Sequence, residues 1–164
     1  MIYEMLQENE QEEIINKHEM SPFEVNVLSP KRTICEKIMS LVRFSFSENP
    51  IEDLNNKIRH IYDLNMLLKD KQINDFFISK EFDKMLIKVG KDDMLSYKNN
   101  NEWLQKHPAS AIIFENPEEI WKKLRNTYYG NFKELVYGEF PAEKDILNTL
   151  KTISKRLRKI EWNI

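Results

Sequence analysis

The stretch Arg59–Leu68, RHIYDLNMLL, decides how the chain is read. With Leu54 and Ile58 upstream, its Ile61, Tyr62 and Leu68 fall on one stripe at helical spacing, so the segment that opens at Asn49-Pro50 is expected to be a helix with that stripe buried. Arg59 and Asp63 lie four apart, neighbours on the opposite side of the same helix. His60 also projects away from the stripe and is expected to be solvated or to make a polar contact. The same period recurs before and after this segment. Only three glycines, Gly90, Gly130 and Gly138, punctuate the 164 residues. The fold expected is mainly α, with helices joined by short polar turns and not by hairpins.

That glycine count also excludes a glycine-rich phosphate loop, since neither GxGxxG nor a Walker A motif can be drawn. Lys and Arg number 25 and Asp and Glu 27, a net charge of −2 that selects no class of partner. One cysteine, Cys35, rules out an internal disulfide, and with three histidines it gives no metal-ligand cluster. No apolar run reaches the roughly 18 residues that a membrane span requires. The acidic start, MIYEMLQENEQEE, is unlike a signal peptide. A cytoplasmic protein is the expectation. A chain of this length can bury roughly 70% of its unfolded surface, enough for a core. We expect a single helical domain over 1–164, with an N-terminal helix and strand in 1–30, a helix pair in 31–70 and a helical bundle in 71–164.

Residues 2–18 read as an acidic helix. Phe23, Val25 and Val27 then alternate with Glu24 and Asn26 between prolines, the pattern of a short β-strand. A strand cannot satisfy its own backbone, and no second one of equal quality follows. An apolar edge of this kind predicts self-association through residues 23–28. From Lys31 to Phe46 a helix is expected, with Ile34, Ile38, Leu41 and Ser45 on one face and Lys37 on the shoulder of that stripe. Ser79 should cap the helix that follows it, and Gly90 should end it. Asn116-Pro117 starts another helix. In the last, opened by Pro141, Ile146, Leu150, Ile153 and Leu157 are spaced for burial. That helix ends with Lys151, Lys155, Arg156, Arg158 and Lys159, cations that suit a helix C-terminus. Cys35 and the three tryptophans read as packing residues and His107 as a turn residue.

Read together, VLSPKRTICEKIMSLVR and RHIYDLNMLL resemble the AbiEii/AbiGii-like nucleotidyltransferase toxins of abortive-infection, type IV toxin–antitoxin systems. The residues that carry the resemblance are Pro30, Arg32, Thr33, Glu36, Lys37, Arg59, His60, Tyr62, Asp63 and Leu64. KHPAS and GEFPAEKDILNTLKTI downstream are also similar to the C-terminal region of that family. The resemblance implies a helical part that contributes a Lys and an Asp to a cleft, opposite a core that holds Mg²⁺. Lys37 and Asp63 would then be catalytic. Lys37 and Arg59 would meet the nucleotide, and Arg32, Thr33, Glu36, His60 and Tyr62 would support them.

The chain departs from that pattern in one respect. No glycine precedes Gly90, and no Asp-x-Asp or Glu-x-Asp pair sits on a strand. The expectation is therefore the C-terminal helical half of such a toxin, truncated and beginning at its own Met1. It would lack a cofactor alone and use Mg²⁺ and an NTP when a separate N-terminal half completes it. It would then transfer a nucleoside monophosphate to a tRNA or protein acceptor, in phage defence, under control of an antitoxin. The alternative is a non-catalytic helical module that binds an antitoxin or RNA, or a gene remnant.

Overall fold

The computed structural model describes residues 2–25 and 27–164. The acidic N-terminal segment forms two short helices instead of one, α1 (Ile2–Glu8) and α2 (Glu12–Lys17). Glu10, in the left-handed region at φ 55°, makes the turn between them. No strand is present among the described residues. Residues 20–25 and 27–29 have no regular secondary structure, and Asn26 lies outside the described residues. The expected strand is thus corrected, for a physical reason: no neighbouring strand offers the ladder that would define it. Its apolar side chains stand in solvent, with Phe23 83%, Val25 63% and Val27 83% exposed.

The body begins at α3 (Pro30–Ser45). Pro30 occupies the first turn, where no backbone N–H is needed, and the amides of Arg32 and Thr33 donate to the carbonyl of Ser29, each at 2.9 Å. Ile34, Ile38, Leu41, Val42 and Ser45 are buried, the face expected from their spacing. The next helix is divided, into α4 (Pro50–Asn56) and α5 (Ile58–Lys69). Lys57, at φ −110° and ψ 17°, forms the joint. The bend lets Leu54, Ile58, Ile61 and Leu64 all face the core.

Helix α6 (Lys71–Ile78) and α7 (Lys80–Ser96) follow. The Ser79 hydroxyl accepts from the amide of Glu81, the cap that was expected. Gly90 does not end α7, which continues to Ser96. Its bare Cα faces the C-terminal tail: a Cβ there would lie 2.8 Å from the Trp162 ring and closer still to Ile164. The glycine is required by close approach and not by a cap.

Two 3₁₀ turns lead to the short α8 (Ile112–Glu115), α9 (Pro117–Thr127) and α10 (Glu143–Leu157). Between α9 and α10 the helical path kinks within Tyr128–Phe132, at the non-helical Gly130. Helix α3 packs on α7, α5 and α4, and α10 packs on α5. One continuous core runs from Ile34 to Ile160, with Trp121 and Tyr128 fully buried. In α10, Ile146, Leu150, Ile153 and Leu157 are all inside, as their spacing requires. Asn65 of α5, itself buried, donates to the Thr149 hydroxyl of α10 at 2.9 Å.

Candidate functional site

Helices α3 and α5 lie against one another and bring the two halves of the double motif together. The apolar stripe of α3 is buried, so Lys37 emerges at the seam, its stem along the helix and its ammonium at the surface. Across the seam α5 presents Asp63. The Nζ of Lys37 donates to Oδ2 of Asp63 at 2.6 Å, although the two residues are 26 apart in sequence. Each side chain keeps about a fifth of its surface, 20% for Lys37 and 18% for Asp63. Arg59, one turn before Asp63, reaches the same oxygen with its Nε at 3.6 Å and is 78% exposed.

These three residues border a cleft of about 560 Å³ that Pro30 and Thr33 of α3 and Asp70 of the α5–α6 junction also line. Lysine has three donor hydrogens, and Asp63 takes one of them. Two therefore remain to meet an anion. Asp63 directs Oδ2 to both cations, while its Oδ1 makes no hydrogen bond among the described residues. The pair thus offers a cation and a free acceptor oxygen at one point of the cleft. Asp70 is partly committed: its Oδ1 accepts from the amide of Ile73 at 3.0 Å and caps α6.

The other motif residues are placed differently. Arg32 turns away from the cleft, with Nε on Glu36 at 2.7 Å and a terminal nitrogen on Asp92 of α7 at 2.8 Å. Arg32 and Glu36 thus tie α3 to α7. The Thr33 hydroxyl donates to the Ser29 carbonyl at 3.1 Å. His60, expected to be solvated or in a polar contact, is half-buried. Its Nδ1 is buried without a hydrogen-bond partner among the described residues. Burial, and then the nearby Lys37 ammonium, push its pKa down to about 4, so it is neutral at pH 7. Cys35 is fully buried and its thiol is pushed up to about 12 by that burial, which leaves no reactive thiolate. His107 does turn the chain: its Nδ1 accepts from the Ala109 amide at 3.1 Å.

Tyr62 faces a second groove of about 520 Å³, on the far side of Arg59 and Asp63, which border both. This groove was missed from the sequence. Its polar residues Asn56, Thr127 and Asn131 are scattered over two segments, and the only local signal was the aromatic run YYGNF. The basic end of α10 is partly spent on structure. Lys151 pairs with Glu118 at 2.5 Å, and the Arg156 guanidinium binds the carbonyls of Phe77 and Ser79 and the carboxylate of Asp83.

Mg²⁺ requires several fixed oxygen ligands. The cleft offers one carboxylate with an oxygen already held by two cations, and a second that caps a helix. Among the described residues no group of three or more His, Cys, Asp or Glu side chains is placed to hold a metal ion. Among the described residues the donor set of the cleft does not fit Mg²⁺.

The family described as "Nucleotidyl transferase AbiEii toxin, Type IV TA system" matches residues 3–149, and that span contains every residue of both grooves. The chain belongs to the AbiEii nucleotidyltransferase toxin family. Its kinship is thus with the toxin components of toxin–antitoxin systems. Neither the curated proteins nor the solved structures contain a match to this AbiEii chain. None of its helices, among the described residues, is long and apolar enough to cross a membrane.

Proposed function

We propose that this chain forms one wall of a nucleotidyltransferase cleft and that a separate segment or chain supplies the opposite, metal-bearing wall. The reaction is transfer of a nucleoside monophosphate from an NTP to an acceptor hydroxyl. The hydroxyl oxygen bonds to the α-phosphorus, the bond to the β-phosphate bridge breaks, and pyrophosphate leaves. Lys37 holds the phosphates with its two uncommitted donors, and Arg59 adds a second, mobile cation. Such charges are most useful where negative charge accumulates in the transition state. Asp63 accepts the acceptor's hydroxyl hydrogen at Oδ1 and fixes Lys37 through Oδ2. His60, neutral, adds no charge beside Lys37 and Asp63.

The observation that carries the reading is the 2.6 Å contact between Lys37 and Asp63, which joins two distant parts of the family motif at the mouth of one cleft. A tagged chain, recovered from its native lysate, tests it. The reading expects a polypeptide with a Gly-Ser turn and paired acids to be recovered with the chain, and the complex to transfer label from an α-labelled NTP. Lys37→Ala and Asp63→Ala should each abolish that transfer while leaving the complex assembled. A complex that transfers label equally well with either substitution would sink the assignment.

A further inference from the structure

Resting on the reading just given, we infer that the second groove receives the base of the nucleoside triphosphate whose phosphates face Lys37. The first argument is continuity. Arg59 and Asp63 border both grooves, so a ligand anchored at Lys37 has only to cross their side chains to enter the second. The second is the change of chemistry at that border. Both grooves have aliphatic walls, but beyond Arg59 the lining gains aromatic rings, Tyr62, Phe132 and Tyr137, which the first cleft lacks. The Tyr62 ring is braced edge-on by Phe132 at 5.6 Å and stacked with Phe140 at 6.2 Å. A braced ring beside an open groove suits a flat heterocycle, because every base has a π-face.

The third argument is the polar inventory. Asn56, Thr127 and Asn131 line the groove, and their side chains make no hydrogen bond among the described residues. An amide both donates and accepts, which matches the mixed edge of a nucleobase and not a phosphate, which only accepts. A few convergent polar groups around an apolar floor, in a volume between about 300 and 1,000 Å³, is the usual make-up of a small-molecule site. The backbone is irregular at both edges. Asn56 stands at the end of α4, beside the joint at Lys57, and Asn131 and Phe132 directly follow the backbone kink at Gly130.

The test is titration of the ¹⁵N-labelled full chain with ATP, GTP, CTP and UTP, and separately with inorganic triphosphate, following amide shifts. Triphosphate should move only amides of the first cleft, such as Thr33 and Arg59. At least one NTP should move these and also Asn56, Asn131 and Val136. The exposed pair Asn56→Ala/Asn131→Ala should weaken that NTP about tenfold, as expected for one or two lost hydrogen bonds, and leave triphosphate binding unchanged. If NTPs shift only the first cleft, or the double variant binds NTP as the wild type does, the base lies elsewhere and this inference falls while the role of Lys37 stands. If neither NTP nor triphosphate shifts the first cleft, the phosphate reading fails and this inference fails with it.

Discussion

Lys37 and Asp63 are only about one-fifth exposed, so neither can be removed without leaving its partner's charge half-buried. Lys37→Ala and Asp63→Ala should each lower stability by about 1.5–3 kcal/mol, the range for a hydrogen bond to a charged group. Arg59, exposed and farther from the same oxygen, should cost less than about 1 kcal/mol when replaced by Ala. Urea midpoints decide this: equal losses for Arg59→Ala and Lys37→Ala would mean that the short contact is not the organising one. His60 gives a pH dependence with an inverted sign. Its folded pKa, about 4, lies below that of the unfolded chain, so acidification puts a proton on the unfolded state first. The stability due to neutral His60 is complete above about pH 6.5 and is lost as the pH falls toward 4. Denaturation at pH 7, 5.5 and 4.5 should show the wild type losing more stability than His60→Asn; parallel losses would place the imidazole in solvent.

At the scale of the element, α3 and α10 were legible because a core packed on one face leaves a 3.6-residue imprint on the sequence. Lys37 and Asp63 were legible only as members of a joint motif, since no local period links residues on different helices. The joint at Lys57 was not legible: neither Gly nor Pro marks it, and the bend is set by how Leu54 and Ile58 reach the core. Phe23–Val27 misled for the opposite reason, because alternation records two unlike faces and does not say what pairs with them. Those exposed side chains predict concentration-dependent association in sedimentation experiments, abolished by Val25→Lys/Val27→Lys; a wild type that stays monomeric at high concentration would refute this. Gly90 was misread because its cause lies some seventy residues away. Gly→Ala within a helix ordinarily gains about 1 kcal/mol. Here the added methyl meets the Trp162 ring, which is pinned by its Nε1 donating to the Leu104 carbonyl at 2.8 Å. Gly90→Ala should therefore lower the urea midpoint in the wild type and raise it once Trp162 and Ile164 are both Ala. A gain in both backgrounds would show that the tail does not press on α7.

Over the whole molecule, Arg156 joins the last helix to the α6–α7 corner through two carbonyls, a carboxylate and the Phe82 ring. Lysine cannot reproduce that fork. Arg156→Lys should cost about 1–3 kcal/mol, more than the same change at exposed Arg158, as thermal unfolding would report. A second long-range tether has a different consequence. Asn65 donates its amide nitrogen to the Thr149 hydroxyl and to the Asp145 carbonyl, yet its own carbonyl oxygen is buried with no partner among the described residues. Replacing both Asn65 and Thr149 with apolar residues of similar volume would remove that deficit and could only help the core. What it would erase is a rotational reference: Asn65 sits two positions after Asp63, and its two bonds to α10 are directional where apolar packing is not. A core built for stability alone would have no use for this amide; a core that must fix one helix's rotation against another does.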